Sequence, residues 1–132
     1  MTNKEIVTRA MKEFFSDRDH SAIERYWQQD YIQHNPSMAN GHQGLRAILE
    51  HIEPGFRWEP GIFIESNDLV LAHSQVHGWG PSPLIVVDIF RLESGRIAEH
   101  WDVVQSEVDH SKTVSGNPMT SFNYITPAED EK

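Results

Sequence analysis

The chain has 132 residues, with 11 basic and 20 acidic side chains and a formal net charge of −9, which is the size of a single domain. The acidic balance, without any cluster of Lys and Arg, argues against nucleic acid and against an anionic membrane surface as partners. The absence of cysteine excludes disulfides, thiolate metal sites and thiol nucleophiles.

The N-terminal third of the chain has the period of amphipathic helices. Thr2 and Glu5 have the spacing of a capping box at the start of a first helix, and a second short helix is predicted around residues 22–27. Residues 31–36 are expected to be extended, because the residue before a proline avoids the helical region. A third helix is predicted over residues 43–50.

From Phe56 onward the apolar residues alternate with a period of two, which indicates strands. Four strands are predicted, at residues 61–66, 69–77, 84–92 and 97–107. Residues 67–68 and 94–95 are tight-turn signals, and residues 78–83 form a longer loop that could cover or rim a pocket. Three helices followed by a mainly antiparallel sheet predict an α+β domain.

The composition changes near the C-terminal end, where Ser, Thr, Asn, Pro and acidic residues follow His110. We expect one domain over residues 1–110, with residues 111–132 as an irregular arm of the same domain that ends in a solvated tip. The N-terminal segment carries charges throughout, unlike a secretory signal, and no run reaches the roughly 20 apolar residues of a membrane span. A cytoplasmic location is therefore expected.

A carboxylate on an apolar strand face is the strongest chemical signal in the sequence. Asp88 shares a face with Val86 and Phe90, and on the next strand His100 and Asp102 share a face with each other. A carboxylate in such surroundings either pairs with a partner or has its pKa raised by desolvation, as a general acid or base requires. The three groups can therefore move a proton without a metal. The alternative is an internal ion pair or a solvent-facing strand, and a β-bulge would reverse part of the facing.

Two other histidines are candidates for this chemistry. His34 lies in the extended segment, and His73 lies on a strand with His77 four residues further on. Residues at that spacing on a strand are roughly 13 Å apart, so His73 and His77 cannot share one ion. A metal site made of His34, His73 and a carboxylate is a narrower alternative that would support metal-assisted hydrolysis. The main interpretation needs no metal.

The aromatic residues allow a pocket for a flat organic molecule, although aromatic side chains at helical and strand spacing more often form core. Trp79 lies between glycines in the long loop and is the best candidate for a pocket rim. The candidate substrate-binding residues are Tyr31, Phe56, Trp58 and Trp79. No Gly-x-Ser-x-Gly motif of a serine nucleophile occurs in the sequence.

Two segments carry a resemblance to a known family. They are residues 88–102, with the sequence DIFRLESGRIAEHWD, and residues 30–36, with the sequence DYIQHNP. With the three helices before them, they resemble the SnoaL-like polyketide cyclase branch of the nuclear transport factor 2-like superfamily, from the first helix to about Gln105. The resemblance implies a conical α+β barrel, in which a curved, mainly antiparallel sheet wraps around N-terminal helices and an internal pocket receives a small hydrophobic molecule.

The resemblance also implies roles for single residues. Asp102 falls on the aspartate that acts as acid–base catalyst of an intramolecular aldol condensation in the cyclases. Asp88 falls where those cyclases carry a helper imidazole, which leaves His34 or His73 to supply it. The implied protein is a homodimeric enzyme without cofactor that acts on a small apolar carbonyl compound by aldol condensation, isomerisation or dehydration. The alternative is a non-catalytic small-molecule binding module of the same fold.

Overall fold

The computed structural model describes residues 1–120, so the predicted acidic tip of the chain lies outside the described residues. The helices are α1 (Asn3–Met11), continued by a π-helical turn (Lys12–Ser16), α2 (Ala22–Tyr26) and α3 (Gly41–His51). The hydroxyl of Thr2 accepts a hydrogen bond from the backbone N–H of Glu5, and the carboxylate of Glu5 accepts one from the backbone N–H of Thr2. The predicted capping box is therefore confirmed.

Five strands form one sheet: β1 (Trp27–Gln33), β2 (Arg57–Ser66), β3 (Leu69–His77), β4 (Leu84–Glu93) and β5 (Arg96–Ser106). Their order is β1-β5-β4-β3-β2, and all pairs are antiparallel except β1 with β5, which is parallel. The four strands predicted from the sequence are confirmed, with β2 beginning earlier than expected. The sheet is open, because β1 and β2 are its free edges.

Strand β1 was not predicted over its first half. Trp27 was placed at the end of the second helix, but that helix ends at Tyr26 and Trp27 begins the strand. Trp27 and Tyr31 are both buried and lie four residues apart, which is a helical spacing. The strand conformation instead depends on pairing with β5, about 70 residues further along the chain. A local pattern does not contain that information.

The hairpin between β4 and β5 positions the residues that matter for the site. Ser94 and Gly95 both have positive φ angles, of 53° and 78°, as a two-residue hairpin turn requires. One extra residue in β5, Ala98, then shifts the register against β4. Ile97 is fully buried, whereas strict alternation along β5 would put it on the same face as Glu99. The bulge therefore changes the facing of this part of the strand, as the sequence analysis allowed.

The hydrophobic core lies between the helices and the inner face of the sheet. α3 packs on β1, and α1 packs on β2 and β3. The largest fully buried apolar side chains are Phe14, Ile23, Trp27, Phe90 and Ile97, and each stabilises the fold by about 1.5–3 kcal/mol. Helices on one face of a curved, open sheet make the expected α+β cone. Within residues 1–120, no helix is both long enough and apolar enough to cross a membrane.

Candidate active site

A cavity of about 440 Å³ lies between the helices and the inner face of the sheet, within the usual size range of small-molecule sites. Most of its wall is aromatic or aliphatic. The polar residues that line it are Tyr31, Gln33, Asn35, Ser37, Asp88, His100 and Asp102. Among residues 1–120, no Lys or Arg lines the cavity, so this part of the chain offers no permanent positive charge to an anionic ligand.

The pairing of β4 with β5 brings the predicted acid–base groups together. Asp88 lies directly opposite Asp102 in the antiparallel register, and His100 is two residues before Asp102 on the same face. One nitrogen or oxygen atom from each of the three side chains lies within 4.8 Å of the others. Strand alternation predicted that His100 and Asp102 share a face, and the pairing of β4 with β5 brings Asp88 beside them.

Asp88 and His100 form a buried pair. Nε2 of His100 lies 2.7 Å from Oδ1 of Asp88, and the two residues are 6% and 7% exposed. Burial raises the pKa of Asp88 above its ordinary value, the contact with His100 opposes that shift, and the negative charge of Asp102 adds to it. The carboxyl group of Asp88 therefore holds a proton more firmly than an exposed aspartate does.

Asp102 has different surroundings. Nδ2 of Asn35 donates to both of its carboxylate oxygens, at 3.0 and 2.8 Å. The amide orientation of Asn35 follows from its oxygen, which accepts a hydrogen bond of 2.8 Å from the backbone N–H of Ser37. A side-chain N–H donor complements a charged carboxylate. Asp102 is therefore arranged as a hydrogen-bonded carboxylate, next to the buried pair of Asp88 and His100.

Gln33 connects the remaining polar groups of the site. Its oxygen lies 2.7 Å from Nδ1 of His100, and its nitrogen donates to the hydroxyl of Tyr31 at 3.0 Å. Burial, followed by the negative charges of Asp88 and Asp102, raises the pKa of Tyr31, so its hydroxyl stays neutral. Gln33 and Asn35 are not among the site residues predicted from the sequence. Because side chains two residues apart on a strand share a face, Gln33 and Asn35 are expected on the same face as the buried Tyr31.

His34 and His73 lie elsewhere. His34 is on the outer side, where its Nε2 contacts Oε2 of Glu99 at 2.7 Å and its ring stacks on Trp101 with centroids 5.0 Å apart. His73 alternates with the buried residues of β3 and is only half-buried. Neither side chain lines the cavity. The assignment of the helper imidazole to His34 or His73 is corrected, since the imidazole beside the two carboxylates is that of His100.

Three of the four candidate substrate-binding aromatics line the cavity: Tyr31, Trp58 and Trp79. Phe56 does not, and it lines a smaller neighbouring cavity of about 290 Å³ to which Trp79 also belongs. Gly78 has a φ of +87°, and a Cβ there would lie 2.7 Å from Cα of Phe56. Glycine thus allows the loop to approach Phe56 closely, and this places Trp79 between the two cavities.

A cation could approach Asp88, His100 and Asp102, which form the one group of three potential ligands found among residues 1–120. Both nitrogens of His100 already have hydrogen-bond partners, namely Gln33 and Asp88. Metal binding would therefore require the contact between His100 and Asp88 to open.

Solved structures with low sequence identity share this architecture. An NTF2-like protein from Cytophaga hutchinsonii matches with a TM-score of 0.68 at 13% identity, over 80% of this chain and 91% of that chain. TsrD from Streptomyces laurentii matches with a TM-score of 0.62 at 20% identity, over 76% and 89%. IdmH from Streptomyces antibioticus, for which a polyketide cyclase activity has been suggested, matches with a TM-score of 0.64 at 15% identity, over 88% and 98%. These likenesses show the NTF2-like fold.

The family follows from the sequence itself. The model of the SnoaL-like domain matches residues 7–100, which run from within α1 through β1 and β4 to His100 in β5. The chain therefore belongs to the SnoaL-like domain family. No curated protein matches this chain.

Proposed function

We propose that this protein is an acid–base enzyme that abstracts a proton next to the carbonyl group of a small, neutral, mainly apolar compound. One observation carries the proposal: two carboxylates, Asp88 and Asp102, lie opposite each other in an apolar cavity but have different partners. Asp102 is held by an amide N–H donor, whereas Asp88 is buried against His100. Environments that separate the proton affinities of two such groups are typical of an acid and a base in one site.

Asp102 is the base in this mechanism. Its carboxylate takes the α-proton, and the electron pair of the broken C–H bond becomes part of an enolate. The Asp88–His100 pair supplies a proton to the enolate oxygen, and the neutral hydroxyl of Tyr31 donates a hydrogen bond to the same oxygen. One proton arrives at Asp102 while one leaves the pair, so the total number of protons held by the site and its ligand is unchanged.

The cavity limits the class of substrate. The part of the chain that the structure describes contributes two carboxylates and no Lys or Arg to its lining, so a carboxylate or phosphate group inside it would be repelled and left without a counter-charge. A neutral ketone or diketone with an aromatic or alicyclic body fits both the volume and the wall. Aldol cyclisation, isomerisation and dehydration all begin with the same proton abstraction. The activity suggested for IdmH supports aldol cyclisation as the first of these to test.

Exchange of α-hydrogen for deuterium tests the proposal without knowledge of the product. A panel of neutral ketones and 1,3-diketones is incubated with the protein in D₂O, and exchange at the α-carbon is followed by mass spectrometry. We expect Asp102→Asn to slow the exchange by about 10²-fold or more. The matched control is Asp30→Asn, which removes an exposed carboxylate from β1 and should leave the exchange rate unchanged. Equal rates for the wild type and Asp102→Asn would reject Asp102 as the base.

A non-catalytic binding module is the second candidate function. The observation that favours it is the extent to which the polar groups of the site satisfy one another, because such networks also stabilise folds without catalysis. Calorimetric titration with the same panel separates the two functions. Binding of a ketone without any α-exchange would support the binding module and contradict the enzyme.

We also propose that the protein is a homodimer, as the resemblance to the SnoaL-like family implied. The support in this chain is the exposure of apolar side chains on the sheet, with Ile64 at 54% and Val103 at 65%. Light scattering should give the mass of two chains, and a monomeric mass would contradict the proposal.

A further inference from the structure

We propose that Gln33 is a positioning residue that determines where the hydrogens of the site reside. It holds His100 with a hydrogen on Nδ1, and it turns the hydroxyl hydrogen of Tyr31 toward the cavity. The catalytic consequence of this role rests on the proposed function, but the hydrogen positions themselves do not. The inference depends on the four contacts that the side-chain amide of Gln33 makes within the protein.

The first contact establishes which amide atom of Gln33 is the oxygen. The backbone N–H of Asn35 lies 3.0 Å from Oε1 of Gln33. A backbone N–H can only donate, so the atom that faces it must be the carbonyl oxygen, and the reversed amide would place two donors against each other. The other amide atom is then the nitrogen, which donates to the hydroxyl of Tyr31 and faces the sulfur of Met38 at 3.6 Å.

The same oxygen determines the tautomer of His100. Nδ1 of His100 lies 2.7 Å from Oε1 of Gln33, and a carbonyl oxygen can only accept. Nδ1 must therefore carry a hydrogen. The contact between Nε2 and Oδ1 of Asp88, also 2.7 Å, then needs a second hydrogen between the two atoms, because a bare nitrogen and a bare carboxylate oxygen would repel each other.

This second hydrogen is the one that the site can transfer. If Nδ1 were bare, the single hydrogen of a neutral imidazole could lie on Nε2 and satisfy a charged Asp88. Loss of that hydrogen would leave an imidazolate, so the pair would have no proton to give. With Nδ1 protonated against Gln33, the His100–Asp88 pair holds one more proton than the neutral imidazole needs. Gln33 thus determines whether the His100–Asp88 pair holds a proton that it can donate.

Gln33 also acts on Tyr31. Its amide nitrogen donates to the phenolic oxygen at 3.0 Å, so the hydroxyl hydrogen must point away from Gln33. Tyr31 is 3% exposed and lines the cavity, and within residues 1–120 its hydroxyl donates to no acceptor of the protein. A carbonyl oxygen of a bound ligand would therefore meet a buried donor that has no other partner.

Nitrogen-15 NMR of the histidine rings tests the inference on the free protein. We expect the ring of His100 in the folded protein to carry a hydrogen on Nδ1, because this nitrogen faces the oxygen of Gln33. Two other histidines serve as references. Nε2 of His42 lies 2.9 Å from the carbonyl oxygen of Trp27, and Nδ1 of His51 lies 2.8 Å from that of Ala47, so these two nitrogens should each carry a hydrogen. A His100 ring without hydrogen on Nδ1 would overturn the proposal.

Two substitutions separate positioning from simple packing. Gln33→Glu keeps an acceptor for Nδ1 of His100 and should keep the tautomer, while the introduced carboxylate draws the hydroxyl hydrogen of Tyr31 away from the cavity. Gln33→Met is similar in length but offers no comparable acceptor, and it should give a mixture of tautomers. Unchanged His42 and His51 signals would show that the fold is retained. If His100 kept a single Nδ1–H tautomer in Gln33→Met, the role of Gln33 would be refuted.

The exchange assay connects these hydrogen positions to catalysis. If the proposed function is correct, α-deuterium exchange should fall by about 10²-fold in Gln33→Met, because the His100–Asp88 pair no longer holds a proton that it can donate. Exchange at the wild-type rate in Gln33→Met would contradict the catalytic part of the proposal. Absence of exchange in every variant, together with a protonated Nδ1, would reject the proposed function but leave the hydrogen placement by Gln33 intact.

Discussion

The two faces of the sheet carry two histidine–carboxylate pairs with the same separation and opposite electrostatics. On the inner face, Nε2 of His100 is 2.7 Å from Asp88, and on the outer face Nε2 of His34 is 2.7 Å from Glu99. Burial raises the pKa of Asp88, whereas hydrogen bonds from His34 and Arg91 lower the pKa of Glu99. The contact distance alone therefore does not indicate which pair can do acid–base chemistry. The burial and the hydrogen-bond partners of each pair decide which pair can do so.

Residues that are adjacent in the sequence lie in these two different environments. Glu99 and His100 are neighbours in β5, and Gln33 and His34 are neighbours at the end of β1, yet one member of each couple faces the cavity and the other faces outward. The outer pair is completed by Arg91, whose Nε donates to Glu99 at 2.8 Å. It is a partly exposed ion-pair network and contributes little to stability.

The largest difference between the faces is expected in catalysis. His100→Gln should slow α-deuterium exchange by about 10²-fold or more, because the pair that supplies the proton is lost. His34→Gln is the matched control on the outer face, and its rate should stay within about twofold of the wild type. Comparable losses in both variants would contradict a catalytic role that is confined to the histidine of the inner face.

The pH dependence of stability should differ in sign between the two carboxylates. The raised pKa of Asp88 contributes stability that is fully present below its unfolded value of 3.8 and is lost as the pH rises through its folded value. The lowered pKa of Glu99 contributes stability that is present above 4.5 and is lost as the pH falls through its folded value.

Urea unfolding of Asp88→Asn and Glu99→Gln over a series of pH values measures both effects. The free energy of unfolding of the wild type minus that of Asp88→Asn should fall as the pH rises, by at most about 1.4 kcal/mol per pH unit. The corresponding difference for Glu99→Gln should fall as the pH decreases, and it should remain below about 1 kcal/mol. Slopes of the same sign would show that burial does not distinguish the pairs.

The smallest effect is expected from removal of metal ions. Because both nitrogens of His100 have partners in the protein, dialysis against a chelator should leave the exchange rate unchanged. The control is the same protein dialysed without chelator. A loss of exchange that a divalent cation restores would instead assign Asp88, His100 and Asp102 as ligands.

Much of this architecture could be predicted from local patterns. The capping box at Thr2, four of the five strands and the common facing of His100 and Asp102 all follow from hydrogen-bonding chemistry and from periods of 3.6 or two residues. Predictions failed where a distant segment decides the outcome. Trp27 lies in a strand because β5 pairs with it, and Ile97 is buried because a bulge at Ala98 changes its facing.

The candidate site shows the same division. Asp88 and Asp102 could be selected because a carboxylate on an apolar strand face has a cost that only a partner or a proton relieves. His34 could be selected only because it is an imidazole within residues 30–36, which carry the family resemblance. The sequence did not show whether its side chain points into the cavity or away from it. Alternation relates the residues of one strand to each other, but it does not say which of the two faces is buried.

By itself, the sequence determined the elements and the chemical groups that this protein has available: an acidic, cysteine-free α+β domain with carboxylates on an apolar strand face. Tertiary structure alone decided which groups meet. Asn35 reaches Asp102, and Gln33 reaches His100, each across 67 positions of the chain, through the parallel pairing of β1 with β5. The physical reason is that periodicity depends on near neighbours, whereas burial and hydrogen-bond partners depend on the strands that pack side by side.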